Sequence, residues 1–223
     1  MKARPEPRSR AHEPGTADLV QTCSNRRALL ECARGECAEL AIWPRTVTAE
    51  VRTAFEALDL TGFQDLFLTG SSGEISSGLS AALDQLGWPQ SAANLVRQDV
   101  DELVRLTSHW SPSYRLRLEH VSDDSCRKFH KDRTDIRLIT TYKGRGSQWC
   151  DVGDDGQGAD VRELLTFETG AFVGLRKAHP QRILHRSPPI GAGDTSRLVL
   201  VLDIERPSWT AAHKRLRRGA DRG

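Results

Sequence analysis

Two histidines and one aspartate in the second half of the sequence have the side-chain chemistry of a metal site. His130 and Asp132 are separated by one residue, and in extended backbone two residues at this spacing point to the same side. His185 is the candidate third ligand because it follows the apolar residues Ile183 and Leu184, just before a turn. Two imidazoles and one carboxylate leave coordination positions open, which suits non-haem Fe(II) and its oxygen chemistry. The sequence therefore predicts a metal ion bound by the ligand triad, His130, Asp132 and His185.

The triad also has a purely structural interpretation. His130 and Asp132 could form an ordinary side-chain hydrogen bond, and His185 could cap the turn that precedes Pro188 and Pro189. Cys126 and Cys150 open a different alternative. A thiolate beside an imidazole favours zinc over iron, and the ligands would then be Cys126, His130 and Cys150 with Asp132 or His185. Buried free cysteines are also ordinary core residues, so both interpretations stay open.

Arg197 is the candidate anion-binding residue. It follows His185 by twelve positions and opens the apolar run LVLVL. A guanidinium that enters a barrel interior needs an anionic partner, because an unpaired buried charge is costly. The carboxylate of a ligand would satisfy it through two parallel hydrogen bonds.

A stiff basic segment follows the third candidate ligand. Residues 186–189 read Arg-Ser-Pro-Pro. The arginine could recognise an anionic substrate. The segment could equally serve only to fix the turn, because each proline locks its own φ angle.

The second half of the sequence has the pattern of β-strands. After Trp110 the apolar period changes from 3.6 to 2, and period two is typical of strands with one buried face. Many short strands with Gly and Pro turns and no helix between them favour a barrel or a sandwich. The predicted strands lie within residues 114–121, 136–142, 164–168, 170–175, 182–185 and 197–204.

The first half has a helical pattern from about residue 28 to Trp110. Residues 48–58 place apolar side chains at helical spacing behind Thr48, a residue type that caps helix N-termini. Residues 91–109 carry an apolar stripe opposite a charged face. We therefore expect an α+β protein with four regions. These are a disordered N-terminus (1–18), a mainly helical region (19–110), a metal-binding β region (111–206) and a basic tail (207–223).

The bulk properties exclude several classes of protein. No run of 18 apolar residues is present, so a membrane span is not expected. The N-terminus has no apolar stretch typical of a secretory signal, and five cysteines are an odd count that indicates reduced thiols. We therefore expect a cytoplasmic protein. The net charge of +2 and the absence of a nucleic-acid motif make a nucleic-acid partner unlikely, and the oligomeric state stays open.

The metal-site pattern resembles a known class of enzyme. His-x-Asp, a distal histidine and an arginine about a dozen residues later look like the iron- and 2-oxoglutarate-dependent oxygenases of the double-stranded β-helix fold. Residues 118–132 are similar to the entry into the metal site of the prolyl-hydroxylase branch, and residues 170–204 to the closing part of the fold. The resemblance implies a cupin-like or jelly-roll barrel with Fe(II) and 2-oxoglutarate as cofactors. It also implies that Arg197 binds the distal carboxylate of 2-oxoglutarate and that Tyr142 helps to hold this co-substrate.

The whole chain also resembles an uncharacterised bacterial family, domain of unknown function 1826. The shared segments are Phe-His-x-Asp at residues 129–132, Thr-Tyr-x-Gly-x-Gly at 141–146 and His-Arg-Ser-Pro-Pro at 185–189. This resemblance helps to define the boundaries of the folded region, and it implies no activity.

Three functional hypotheses follow. The first is an Fe(II)/2-oxoglutarate-dependent dioxygenase that acts on a small molecule or a protein side chain. The second is a non-catalytic zinc-binding or metal-homeostasis protein on the same barrel. The third is an interaction module that uses the basic tail or the helical region.

Overall fold

The computed structural model describes residues 19–35, 38–123, 126–153, 160–176, 181–189 and 196–205. The predicted disordered N-terminus (1–18) and the predicted basic tail (207–223) lie outside the described residues. Of the helices in the described ranges, none combines the length and the apolar character that crossing a membrane requires.

Among the described helices, the first three begin at a capping side chain, whereas the fourth begins after Pro89 without one. Asn25 and Thr48 accept hydrogen bonds from the backbone N–H groups of the first turns of their helices, and Ser71 forms a reciprocal capping box with Glu74. Gly87 ends its helix in the left-handed conformation (φ 62°). The helices are α1 (Arg26–Arg34), α2 (Ala49–Glu56), α3 (Ser72–Leu86) and α4 (Gln90–Thr107).

The described strands form two sheets. The larger sheet has seven strands in the order β1-β2-β8-β5-β10-β4-β3, and the smaller has three in the order β7-β6-β9. Neighbouring strands are antiparallel except for β1 and β2. The strands are β1 (Val20–Thr22), β2 (Leu40–Trp43), β3 (Leu66–Gly70), β4 (Ser113–Val121), β5 (Ile136–Lys143), β6 (Gln148–Asp151), β7 (Arg162–Glu163), β8 (Thr169–Val173), β9 (Ile183–Arg186) and β10 (Arg197–Glu205).

The predicted helical region (19–110) is not a separate helical layer. Besides the four helices it contributes β1, β2 and β3, which pair into the larger sheet. Strand β2 pairs with β8 and strand β3 with β4, so the two halves of the chain share one sheet. The helical periodicity did not indicate these strands, because each has only three to five residues.

Strand β10 shows how the larger sheet is built. Its side chains alternate between two faces, as in any strand. Leu198, Leu200 and Leu202 belong to the core shared with the helices. Val199 and Val201 belong to a second cluster, which includes residues of the smaller sheet. One face of the sheet therefore packs on the helices, and the other faces the space between the two sheets.

Tyr142 lies on the helix face, and this corrects the expectation that it holds the co-substrate. On β5, Ile139 belongs to the cluster between the sheets, whereas Tyr142 is three positions further along and belongs to the helix-side core. Its hydroxyl donates a 2.7 Å hydrogen bond to Asp99 Oδ2 on α4, and its ring stacks on Phe55 with centroids 5.0 Å apart. Burial raises the pKa of Tyr142 well above its ordinary value, so the hydroxyl remains a donor.

Asp99 is a buried ionic centre that joins the helices to the sheet. Arg45 donates two hydrogen bonds of 2.5 Å to its carboxylate, and Arg26 of α1 donates a third. With the bond from Tyr142, this carboxylate contacts α1, the segment before α2, and β5. A buried carboxylate with several charged partners is satisfied, whereas the loss of a partner is costly.

We expect Tyr142→Phe to destabilise the fold and to spare the metal site. The change removes one hydrogen bond to a buried carboxylate, which contributes about 2 kcal/mol to the free energy of unfolding. Urea denaturation measures the stability, and metal titration of the same preparation measures the affinity. Unchanged stability together with weaker metal binding would contradict this structural role.

Candidate metal centre

The backbone places two members of the ligand triad opposite each other. His130 N donates to His185 O, and His185 N donates to His130 O, both at 2.9 Å. The pair forms an isolated antiparallel bridge between His130 and His185 of β9, and the two imidazole centroids are 4.7 Å apart. Because Asp132 follows two residues after His130, it returns to the same side of the chain.

The three side chains converge on a common point. One ligand atom from each lies within 4.8 Å of the others. Asp132 Oδ2 is 2.8 Å from His185 Nε2, and Asp132 Oδ1 is 3.6 Å from His130 Nε2. His130 Nδ1 lies 2.9 Å from the carbonyl oxygen of Lys128. If Nδ1–H donates to that carbonyl, the tautomer leaves the lone pair of Nε2 facing the carboxylate, as in many metal-binding histidines.

Burial and charge act on the triad in opposite directions. Burial disfavours the charged form of Asp132, but contact with the two histidines and the charge of Arg137 hold the pKa of this carboxyl well below its usual range. Hydrogen bonding to Asp132 raises the pKa of His130. Burial lowers the pKa of His185, which favours the neutral imidazole that binds metals. The triad thus pairs an ionised carboxylate with a buried neutral imidazole.

Arg137 fixes the orientation of Asp132. Its Nη1 donates a 2.5 Å hydrogen bond to Asp132 Oδ1, while Nε and Nη2 donate to the two oxygens of Asp203 at 2.6 and 2.8 Å. No motif in the sequence marks Arg137 as part of the site. The alternation of side chains along β5 could have indicated it. Arg137 shares a face with Ile139, which belongs to the cluster between the sheets.

Glu39 connects the triad segment to β9, and it too was not among the residues predicted for the site. Lys131, which stands between two of the candidate ligands, donates to Glu39 Oε2. The same carboxylate accepts hydrogen bonds from the backbone N–H of Ile183 at 3.0 Å and of Arg182 at 3.2 Å. The side chain of Glu39 is 0% exposed. No local motif marks it, because it lies 92 residues before Lys131 in the sequence.

Arg197 is buried and bound to neutral acceptors. Its Nε donates to Arg145 O at 2.6 Å, and its Nη2 contacts the hydroxyls of Thr141 and Ser147 at 3.3 and 3.4 Å. Burial lowers the pKa of Arg197 to about 10, so the guanidinium stays charged at neutral pH. The turn that carries Arg145 needs a glycine at 144 (φ 79°), since a Cβ there would lie 3.0 Å from Arg197 Cγ.

One cavity connects the triad to Arg197. Its volume is about 130 Å³. The three triad side chains line it together with Ser147 and Arg197, and the apolar side chains of Ile139, Val199 and Val201 complete part of its wall. A cavity that joins a candidate metal site to a buried cation is suited to a small chelating anion.

The two cysteines of the zinc alternative do not join the triad. Within the described residues, the one group of at least three His, Cys, Asp or Glu side chains with metal-site geometry is the triad itself. Cys126 is exposed and lines the cavity without joining that group. Cys150 pairs with Leu184, one position away from the pairing of Trp149 with His185, so it lies on the opposite face of the smaller sheet. The predicted zinc site with Cys126 and Cys150 as ligands is therefore wrong, because Cys150 faces away from His185.

The comparisons with known proteins agree with this architecture. The family model described as "Protein of unknown function (DUF1826)" matches residues 24–203. The chain belongs to this family. No curated protein matches the sequence of this DUF1826 member.

Solved structures show the fold of the DUF1826 chain. A dioxygenase for auxin oxidation from rice is similar with a TM-score of 0.51 and 12% identity, over 84% of this chain and 83% of that chain. AtDAO1 of Arabidopsis thaliana, in a complex with 2-oxoglutarate, is similar with a TM-score of 0.50 and 10% identity, over 84% of this chain and 92% of that chain. The DUF1826 chain therefore shares the fold of these dioxygenases.

We expect Arg137→Lys to weaken metal binding by about tenfold, the lower end of the effect of outer-shell partners on metal affinity. Lysine keeps the positive charge, but it lacks the planar guanidinium that donates hydrogen bonds to Asp132 and Asp203 at the same time. Competition with a chromogenic zinc chelator measures the affinity. The matched control is Arg115→Lys, because Arg115 also lies near Asp203, with Nε 3.9 Å from Oδ2. This control should leave the metal affinity unchanged. Equal affinities for Arg137→Lys and the wild type would contradict a positioning role.

Proposed function

We propose that this chain is a non-haem Fe(II)- and 2-oxoglutarate-dependent oxygenase, with His130, Asp132 and His185 as metal ligands. The observation that carries the proposal is the buried Arg197, which donates to neutral acceptors at one part of a cavity whose other part holds the triad. A buried guanidinium is better satisfied by a carboxylate that accepts its hydrogen bonds directly than by neutral acceptors. A dicarboxylate that also chelates the metal meets both requirements.

The residues present fit a divalent cation. Asp132 Oδ2 is buried, and no described residue gives it a hydrogen bond of good geometry. This oxygen nevertheless lies 2.8 Å from His185 Nε2, which is the kind of close approach expected of two atoms that bind the same ion. Two imidazoles and a carboxylate match the facial set of non-haem iron and leave positions open for a co-substrate. When bound, the iron would supply oxygen activation coupled to the oxidation of 2-oxoglutarate.

The chain's own side chains would prepare this reaction. Arg197 would bind the distal carboxylate of 2-oxoglutarate, and the hydroxyls of Thr141 and Ser147 would keep the guanidinium in its plane. Val199 and Val201 would keep water away from the chelating end. That a protein of this fold, AtDAO1, forms a complex with 2-oxoglutarate supports the choice of co-substrate.

A zinc-binding protein without catalysis is the alternative, because the same ligand types also bind zinc. The two functions differ in the role of Arg197. The oxygenase needs this guanidinium for its co-substrate, whereas a protein that only holds zinc does not.

We expect Arg197→Ala to lose 2-oxoglutarate binding and to keep metal binding. The affinity should fall at least about a hundredfold, which corresponds to about 2.8 kcal/mol for a charge-assisted pair. Anaerobic calorimetry measures the Fe(II) affinity on the metal-free full chain and the 2-oxoglutarate affinity on the Fe(II)-loaded chain. The control is Arg105→Ala, at an exposed position on α4. Stoichiometric zinc in the purified protein, with no heat from 2-oxoglutarate in the wild type, would favour the zinc-binding alternative.

A further inference from the structure

A groove on the larger sheet lies beside the metal cavity and shares two lining residues with it. Its volume is about 290 Å³, and Arg117 and Arg137 line both the groove and the cavity. The outer wall comes from β3, where Phe67 and Thr69 face the groove. Together the two volumes lie at the lower end of the range for small-molecule sites, about 300–1,000 Å³. A small molecule in the cavity can therefore contact Arg117 at the border with the groove, beside the wall that β3 forms.

The strand register places an exposed aromatic ring beside a cation in this groove. Arg117 pairs with Phe67 on one side and with Val201 on the other, so the three side chains form one row on the same face. Phe67 is 63% exposed, although Leu66 and Leu68 on either side of it pack against the helix-side core. An apolar ring next to a guanidinium suits a ligand that has both an apolar body and a negative charge.

The arginines of the cavity have different roles. Arg137 is engaged by Asp132 and Asp203, and the proposed function assigns Arg197 to the co-substrate. Arg117 and Arg186 also line the cavity, one from each sheet. Neither is needed to hold the triad or the co-substrate.

These two remaining guanidiniums are partly held in place. Arg186 Nε donates to Gln148 Oε1 at 2.9 Å, and its guanidinium lies 4.3 Å from the centre of the Phe129 ring. Arg117 Nη1 donates to Glu119 Oε1 at 3.2 Å, which engages one of the five N–H groups of a guanidinium. Pre-ordered guanidiniums bind carboxylate or phosphate at a lower entropic cost.

We propose that the substrate is a small organic anion whose carboxylate or phosphate group is bound by Arg117 and Arg186, and whose apolar body contacts Phe67. This inference rests on the proposed function and names the substrate class of the same site. Glu119 also lines the cavity, and its negative charge repels an anionic ligand. Removing the charge of Glu119 is therefore expected to strengthen substrate binding.

The test uses phenylacetate, its neutral analogue phenylacetamide, and phenyl phosphate as probes. The full chain is loaded with Zn(II), which has no redox chemistry, and saturated with 2-oxoglutarate so that Arg197 is occupied. Ligand-observed NMR titration then gives the dissociation constants. We expect at least one of the two anions to bind at least about tenfold more tightly than the amide, and the tighter of them identifies the anionic group.

The variants locate the anion subsite. Arg117→Met and Arg186→Met should each reduce the preference for the anion, Glu119→Gln should increase it, and the control Arg105→Met should leave it unchanged. The proposal is overturned if the anions and the amide bind equally, or if the preference survives the Arg117 and Arg186 changes. It is also overturned if an acidic peptide binds while neither small anion does.

A second titration separates this inference from the proposed function. The metal-free Arg197→Ala protein has neither the metal nor the co-substrate cation. An anion preference that still depends on Arg117 supports the subsite even where the wild type fails to bind 2-oxoglutarate. A wild type that binds Fe(II) and 2-oxoglutarate but shows no anion preference keeps the oxygenase and rejects the anionic substrate.

Discussion

Strand alternation in the centre of the larger sheet is the constraint on which the rest of the structure depends. Strands β5 and β10 are covered on both sides, by the helices on one face and by the smaller sheet on the other. The helix face is filled by apolar side chains and by the centre at Asp99. The opposite face can then carry Arg137, Arg197 and Asp203 without opening the core. A shift of one residue in register would exchange the two faces and remove the site.

The candidate centre needs both sheets. His185 lies in β9 of the smaller sheet and His130 is bridged to it, whereas Arg137 and Arg197 come from the larger sheet. Glu39, just before β2, links these parts through Lys131 and the first backbone amides of β9. The geometry of the ligand triad therefore depends on how the sheets meet. A change on the helix side, such as Tyr142→Phe, is expected to act on stability without touching the triad.

Residue chemistry and spacing were enough to single out His130, Asp132, His185 and Arg197, which the structure brings to one cavity. That they bind a metal and a co-substrate stays a prediction. The role given to Tyr142 followed a family resemblance, although alternation on β5 already places it opposite Ile139. Strands β1 to β3 could not be predicted, since short strands are defined by partners far away in the sequence. The role of Glu39 could not be predicted for the same reason, because its partners, Lys131 and two backbone amides, lie far away in the sequence.

The most direct test of the central claim is an anaerobic absorption titration of the full chain with Fe(II) and 2-oxoglutarate. The account predicts a weak visible charge-transfer band that requires both components and saturates at one equivalent of each. The same titration of His185→Ala should give no band, because the metal loses one of its three ligands. A wild-type spectrum that stays unchanged at saturating Fe(II) and 2-oxoglutarate would contradict the oxygenase.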